Sequence, residues 1–272
     1  MTILKNKFNY KSEESELLDQ FEQFNRKKGR EEPESNPFEP YVKEKMITQM
    51  LRLVKSGKEA KVYCCEATPQ MDSDYLALKV YIPRENRNFK NDATYREGRV
   101  VLNQHDVRAM RKKSEWGKVM SSGLWSNQEY IYLHMMYRAG ADVPKPYAQR
   151  GNSILMEFLG EGDLAAPILN NVELENAEAK IVFERLMHNI ELFLSLNIVH
   201  SDLSPFNVLY WQEQIRIIDF PQAVDARFNK NSEWLLERDI TNLCRYFKRF
   251  GVIADPAKLS GNFWLRFQNS QF

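Results

Sequence analysis

A histidine, two aspartates and an asparagine stand close together in the stretch Val199 to Asp219, VHSDLSPFNVLYWQEQIRIID. Asp202 follows His200 by two positions, Asn207 comes five residues after Asp202, and Asp219 closes the apolar pair Ile217-Ile218. Asp202 falls in a polar turn between two apolar segments, where a carboxylate can point into a cleft and meet a hydroxyl or a water. Asn207 opens the run Val208-Leu209-Tyr210-Trp211, and Ile215 to Ile218 makes a second run. Two short strands joined by a turn near Glu213 bring Asn207 and Asp219 to the same end of a hairpin. An amide oxygen beside a carboxylate suits Mg2+, a hard cation that takes oxygen ligands and leaves positions for phosphate oxygens. Singly these residues are ordinary, since H-x-D is common in turns and an Asp often ends a strand. Their order, with the flanking apolar runs, carries the chemistry.

Two further segments could face such a site. In LVKSGKEAKVYCCEA, from Leu53 to Ala67, a short strand, a turn at Ser56-Gly57-Lys58 and a second strand through Val62 and Tyr63 make a hairpin. Gly57 permits close backbone approach, while Ser56 and backbone N–H groups can meet phosphate oxygens. With one glycine the turn is neither a Walker A loop nor G-x-G-x-x-G, and alone it reads as a surface turn. The segment YLALKVYI, Tyr75 to Ile82, alternates as a strand: Leu76, Leu78 and Val80 on one side, Ala77, Lys79 and Tyr81 on the other. A lysine inside such a strand is costly to bury without a partner.

The remaining chain supplies mostly helices. Tyr41 to Leu53 has Met46, Met50 and Leu53 at helical spacing. Trp116 to Ala139 reads as a long helix stopped by Gly140, with Leu124, Leu133, Met136 and Tyr137 among its apolar positions. Strands are expected around Gln149 and from Ser153 to Leu159. Leu174 to Leu196 is a helix whose stripe is Ile181, Val182, Leu186, Ile190, Phe193 and Leu194. Pro221 ends the run after Asp219, and Ser232 is a candidate N-cap for a last helix to about Phe250, with Gly251 as its stop. The aromatic tail to Phe272 carries no readable function. Before Tyr41 the chain is charged and proline-punctuated, with an amphipathic stretch from Ser15 to Lys28. Arg84 to Lys118 is rich in basic residues with acidic ones interspersed, a solvated segment that could contact RNA or an acidic partner.

Bulk properties exclude several classes. The 272 residues carry a net charge of +1, so no global field draws the chain to nucleic acid or membrane. No signal-peptide core and no run of ~20 apolar residues is present. Three cysteines, two adjacent at Cys64-Cys65, make neither a disulfide framework nor a zinc pattern. A cytoplasmic setting is expected.

An Asp base, then an Asn and an Asp in this order, matches the catalytic loop and metal-binding Asp of kinases. SGKEAKVY, ALKVY, HSDLSPFNVLY and IIDFPQAV narrow the likeness. Through them the sequence resembles the RIO family of atypical serine/threonine protein kinases, its RIO1-like branch, over roughly Leu51 to Val252. The resemblance implies an α+β, two-lobed, protein-kinase-like fold with an antiparallel-sheet N-lobe and a short, mainly helical C-lobe. It implies an extension over residues 1–45, an N-lobe over 46–159 with a flexible loop at about 84–116, and a C-lobe over 160–272. The implied ligands are ATP with Mg2+ or Mn2+. Ser56, Gly57 and Lys58 would meet the phosphates, and Lys79 would bind them and pair with Glu129. Met156 would sit just inside the nucleotide pocket, with Glu157 and Phe158 on the hinge. Asp202 would be the catalytic Asp, and Asn207 and Asp219 the metal ligands; Asp219 is also the implied phosphate acceptor during ATP hydrolysis. The basic stretch resembles the family's autophosphorylated loop, with Thr94 and Ser114 as its hydroxyls. A protein acceptor or a ribosomal pre-particle is the implied partner.

The pattern departs from the family at Ser201, at Pro205 and in Asp219-Phe220-Pro221-Gln222, which resembles the RIO2 branch more. No A-P-E segment follows. Two other readings are a nucleotide-switched ribosome-assembly factor that hydrolyses ATP, and a small-molecule kinase of the aminoglycoside or sugar type, which shares H-x-D-x-x-x-x-N followed by Ile-Asp.

Overall fold

The alternation of Tyr75 to Tyr81 decides where two layers lie. In the computed structural model, which describes residues 36–82 and 115–272 and only the backbone of 115–125, five antiparallel strands form one sheet. They are β1 (Ile47–Ser56), β2 (Ala60–Ala67), β3 (Tyr75–Tyr81), β4 (Pro146–Arg150) and β5 (Ser153–Glu157), in the order β1-β2-β3-β5-β4. Leu76 and Leu78 of β3 face outward into a cluster with Cys65, Ala67, Leu155 and Ile47, roofed by Tyr41 and packed by Phe38 and Met46. Tyr41 is fully buried and its hydroxyl donates to the Ser153 carbonyl at 2.9 Å. The opposite face is set by register: Val62 pairs with Lys79, Cys64 with Ala77, Lys79 with Ile154 and Ala77 with Met156. Directly opposed residues share a face, so Lys79, Ala77, Val62 and Met156 lie together.

The expected helix over Tyr41 to Leu53 is corrected. Helix α1 covers only Glu39–Lys43, Lys45 takes a positive φ of 57°, and β1 follows. Three register shifts within β1 interrupt the strand's period of two, which is why Met46, Met50 and Leu53 fell at helical spacing; Met50 and Leu53 are exposed.

Helix α2 (Glu115–Arg138) lies on the Lys79 face, where Tyr130 packs against Ala60, Tyr81 and Ile154. It ends at Gly140, whose φ is +83°. Past β5 the ribbon β6 (Gly160–Glu161) and β7 (Leu164–Ala165) doubles back so closely that a Cβ on Gly160 would stand 1.9 Å from the Leu164 carbonyl oxygen. Helix α3 (Asn176–Ser195) opens on a Glu175–Glu178 capping box and buries Val182, Leu186, Ile190, Phe193 and Leu194. Ile181, expected in that stripe, is 66% exposed; one step of 100° from Val182 turns it outward.

Strand β8 (Ile198–Val199) pairs with β11 (Val224–Asp225), and between them lies the hairpin β9 (Val208–Trp211) and β10 (Gln214–Ile217). Helices α4 (Ser232–Phe247) and α5 (Pro256–Gln268) complete the fold. At α4 the cap position is Asn231, and the Ser232 hydroxyl, expected to cap, is instead inside the helix and buried without a hydrogen-bond partner among the described residues. The tail forms α5, capped by Asp255, whose side chain accepts from the Ala257 and Lys258 N–H groups.

Besides Lys79–Asp219, three ion pairs among the described residues join the sheet part to the helical part. Arg185 of α3 grips Asp142 through two contacts of 2.6 Å, and Arg216 of β10 grips Glu157 through two of 3.1 Å. Arg52 of β1 reaches Asp163 at 3.1 Å. Among the described residues, no helix is long and apolar enough to cross a membrane. The stretch Ser15 to Lys28, most of the basic segment, Thr94 and Ser114 lie outside the described residues.

Candidate active site

Four elements converge on Lys79. Its ammonium donates to Glu129 of α2 and to Asp219, each at 2.7 Å. The Lys79 and Glu129 side chains are 8% and 4% exposed, while Asp219, at 39%, opens to solvent. Glu129 is held from three sides: one oxygen accepts the Lys79 ammonium and the Phe220 backbone N–H (3.1 Å), the other accepts the Tyr81 hydroxyl. Burial disfavours the Lys79 cation, but the Asp219 and Glu129 carboxylates outweigh it and hold the pKa well above the ordinary lysine value. Burial likewise pushes Asp219 up, and Lys79, with smaller help from Lys55 and His200, brings it below the usual carboxylate range. The Ser56-Gly57-Lys58 turn opens at the end of β1. That turn is closed by the Gly57 N–H to the Ala60 carbonyl at 2.9 Å, and Ser56 and Lys58 are exposed.

The second group is the loop between β8 and β9. Ser201 adopts a φ of 66° and Asp219 one of 74°, a region costly for non-glycine residues and common at functional sites. Asp239 of α4 supports the loop: its two oxygens accept the Ser201 N–H at 2.8 Å and the Leu203 N–H at 3.0 Å. Arg238 donates to the Ser201 carbonyl. His200 is buried, and its Nδ1 accepts the Asp202 N–H at 3.3 Å while Nε2–H donates to the Ile218 carbonyl at 3.1 Å. This neutral imidazole, its pKa lowered by burial to about 4, ties the Asp202 loop to the residue before Asp219. The Ile218 N–H donates to the Asn207 carbonyl at 2.9 Å, a second tie to the residue before Asp219.

Asp202 presents an exposed carboxylate, its pKa raised by burial of part of its surface and by the Asp219 charge. Asn207 donates its amide to the Asp202 carbonyl oxygen at 2.8 Å and to its carboxylate at 3.3 Å. The amide is thereby oriented, and its oxygen is left as an acceptor. Asp219 spends one oxygen on Lys79 and keeps the other without a hydrogen-bond partner among the described residues. Two hard oxygen donors fit a cation that completes its shell from phosphate and water; among the described residues no cluster of three His, Cys, Asp or Glu side chains could hold one alone.

Lys79, Glu129, Asp219, Asp202 and Asn207 are thus brought together. Met156 pairs with Ala77 and shares the Lys79 face of the sheet. The Glu157 carboxylate turns to Arg216 and to the Lys145 N–H, its own N–H donates to the Lys145 carbonyl at 2.8 Å, and Phe158 lies 6.4 Å from the Tyr75 ring. Sequence reasoning passed over Tyr81, Arg238 and Asp239 and gave His200 no role. Tyr81 was legible, two residues from Lys79 on the same strand face. Asp239 left a signal too: a carboxylate among the buried α4 positions Leu235, Leu236, Ile240 and Leu243.

Known proteins resemble this chain over much of its length. The family model described as RIO domain matches residues 61–259. The chain is 32% identical over 200 residues to serine/threonine-protein kinase RIO1 of Caenorhabditis elegans, covering 73% of this chain and 37% of that protein. It is 32% identical over 207 residues to RIO-type serine/threonine-protein kinase Rio1 of Haloferax volcanii, covering 76% and 66%. Serine/threonine-protein kinase RIO3 of Caenorhabditis elegans is 34% identical over 205 residues, covering 74% and 37%. The chain therefore spans between 37% and 66% of the length of these relatives. Among solved structures, the ADP/Mg2+-phosphoaspartate complex of Rio2 kinase from Chaetomium thermophilum shares the fold, with a TM-score of 0.63 at 21% identity, covering 84% of this chain and 64% of that one.

Proposed function

The chain belongs to the RIO domain family, and from that premise we propose that it is an ATP- and Mg2+-dependent phosphotransferase of the serine/threonine kinase type. The observation that carries the reading is the sharing of Lys79 between Glu129 and Asp219. A buried lysine fixed by one carboxylate and lent to a second, more exposed one can turn to a phosphate when that second carboxylate finds another cation.

The nucleotide lies between residues 46–159, read as one lobe, and 160–272, read as the other. Val62, Ala77 and Met156 form an apolar ceiling for the base, and the backbone of Glu157 and Phe158 meets its edge. Lys79 and the Ser56-Gly57-Lys58 turn hold the phosphates, and Asn207 and Asp219 hold the metal. Bound Mg2+ supplies charge neutralisation at the transferring phosphate oxygens. Asp202 accepts a hydrogen bond from the acceptor hydroxyl and takes its proton as the γ-phosphoryl group leaves ADP. Its raised pKa moves it toward the working range of a base. Catalysis on this plan is positioning and charge stabilisation.

A second reading concerns the acceptor. Among the described residues Asp219 keeps an oxygen free beside Lys79, and the Rio2 relative of the same fold is a phosphoaspartate complex with ADP and Mg2+. In that reading an Asp219 oxygen attacks the γ-phosphorus, ADP leaves, and water hydrolyses the acyl phosphate; the chain then works as an ATPase in a particle such as a ribosome precursor. The three cysteines, all free and buried, suit the cytoplasm in either case.

Thermal melting with ATP and Mg2+ tests the nucleotide site. At ~100 times its dissociation constant the ligand should add roughly 2.7 kcal/mol of stability, and Asp219→Ala should lose most of that gain. Absence of a shift in the wild type would remove nucleotide binding. Phosphate release measured beside transfer to added protein separates the two readings.

A further inference from the structure

Tyr81 is 1% exposed, and its ring lies in the cluster of Ala60, Ile154 and Tyr130. A phenylalanine would fill the same space. What the hydroxyl adds is a hydrogen bond to the second oxygen of Glu129, whose first oxygen already takes Lys79 and the Phe220 N–H. A carboxylate bonded through both oxygens cannot turn about its last torsion; one bonded through a single oxygen can. The phenol also remains a donor, because burial and the Glu129 charge keep its pKa well above the ordinary tyrosine value. Its ring stands 5.1 Å from the Lys79 ammonium, a favourable aromatic contact for a cation.

We propose that Tyr81 is a positioning residue: by fixing the second oxygen of Glu129 it keeps Lys79 on Glu129 and so leaves Asp219 free to take a cation when nucleotide arrives. This rests on the phosphotransferase reading above. Lys79 has two carboxylates within 2.7 Å, and among the described residues only one of them is pinned from its far side. Without the Tyr81 hydroxyl, Glu129 swings and the lysine follows Asp219. The ammonium then blocks the metal ligand and is withdrawn from the phosphates at once. The Tyr81 hydroxyl touches neither nucleotide nor metal in this scheme; it acts through Glu129.

The experiment compares wild type, Tyr81→Phe, Glu129→Ala and the double variant, titrating ATP at fixed Mg2+ and Mg2+ at fixed ATP. Direct ADP binding, with and without Mg2+, is measured alongside, and melting curves establish that each variant folds. Tyr81→Phe is expected to raise the half-saturating ATP and Mg2+ concentrations about tenfold, the scale of one hydrogen bond to a charged group. Turnover at saturation is expected to change by less than about threefold. In the Glu129→Ala background the same substitution should have no further effect. If Glu129→Ala does not fold, Glu129→Gln replaces it, and the effect of Tyr81→Phe should shrink there to under about threefold. An unchanged Mg2+ requirement, or an equal loss in both backgrounds, would overturn the proposal and leave Tyr81 as core packing. A wild type that binds ATP–Mg2+ while Tyr81→Phe behaves identically sinks this inference alone. A wild type that binds neither nucleotide sinks the function and the inference together.

Discussion

The two halves of the site are held by different means. On the sheet side, Lys79, Glu129 and Tyr81 are fixed by one another's side chains across β3 and α2. On the helical side, Asp202 and Asn207 ride on a loop held by its backbone. Asp239 takes two of its N–H groups, Arg238 and Asn242 bond two of its carbonyls, and His200 accepts the Asp202 N–H. Side-chain ion pairs can exchange partners, and Lys79 already divides itself between two. Buried backbone groups have no alternative partner and are costly to leave unpaired. The first half can therefore change partners; the second is built to stay where it is.

Asp202→Ala and Lys79→Ala pull on these halves separately. Asp202→Ala should lower phosphoryl transfer by roughly 10²–10⁴-fold while nucleotide affinity stays within about threefold of wild type. Lys79→Ala should lose nucleotide affinity and also stability, by ~3–5 kcal/mol, because Glu129 is left charged and buried. Kinetics, nucleotide binding and denaturant melts on both variants read these effects. If Asp202→Ala weakened nucleotide binding as much as Lys79→Ala, the two halves would be one unit and the contrast would fail.

The same contrast governs what could be read from the sequence. Asp202, Asn207 and Asp219 were legible because a short hairpin sets their spacing locally, and Lys79 because strand alternation exposes it as an anomaly. The Glu129 partnership came through family resemblance, since nothing in its local sequence marks it. Asp239 meets the loop across 36 and 38 residues, a distance over which spacing carries no information. Strand β1 was misread because its register shifts mimic helical spacing. Helix α5 was missed although Asp255-Pro256 is a readable start, a cap followed by a proline at the first helical position.

The backbone-held half should show itself in opposed pH dependences. An unfolded chain protonates His200 as pH falls through 6.5, whereas the folded chain resists until about 4. Stability is lost as pH falls across that window, on the order of 3 kcal/mol in all. Asp239 runs the other way. Burial raises its pKa to about 8 from 3.8, so the folded chain keeps a proton that the unfolded chain gives up, and stability falls as pH rises between those values. The two slopes oppose each other between pH 4 and 6.5. Asp239→Asn should uncover the rise with pH, and His200→Asn should uncover the fall, in urea melts at pH 4.5, 6 and 7.5. Wild-type pH dependence in both variants would show that neither group is held as described.

The smallest effect is expected where the halves are joined. Arg216 and Glu157 make a bidentate pair with side chains 19% and 24% exposed, and Glu157 also accepts the Lys145 N–H at 3.1 Å. The pair runs from the end of β5 to β10, two residues before Ile218. Glu157→Gln should cost about 1 kcal/mol, as expected for a partly exposed pair, and leave nucleotide affinity within about twofold, since the hinge would meet the base through its backbone. Denaturant melts and ADP titrations measure the two quantities on one sample. A tenfold loss of affinity with little loss of stability would reverse the assignment. The Glu157 carboxylate would then leave Arg216 for the nucleotide, and the joint itself would share the sheet side's capacity to exchange partners.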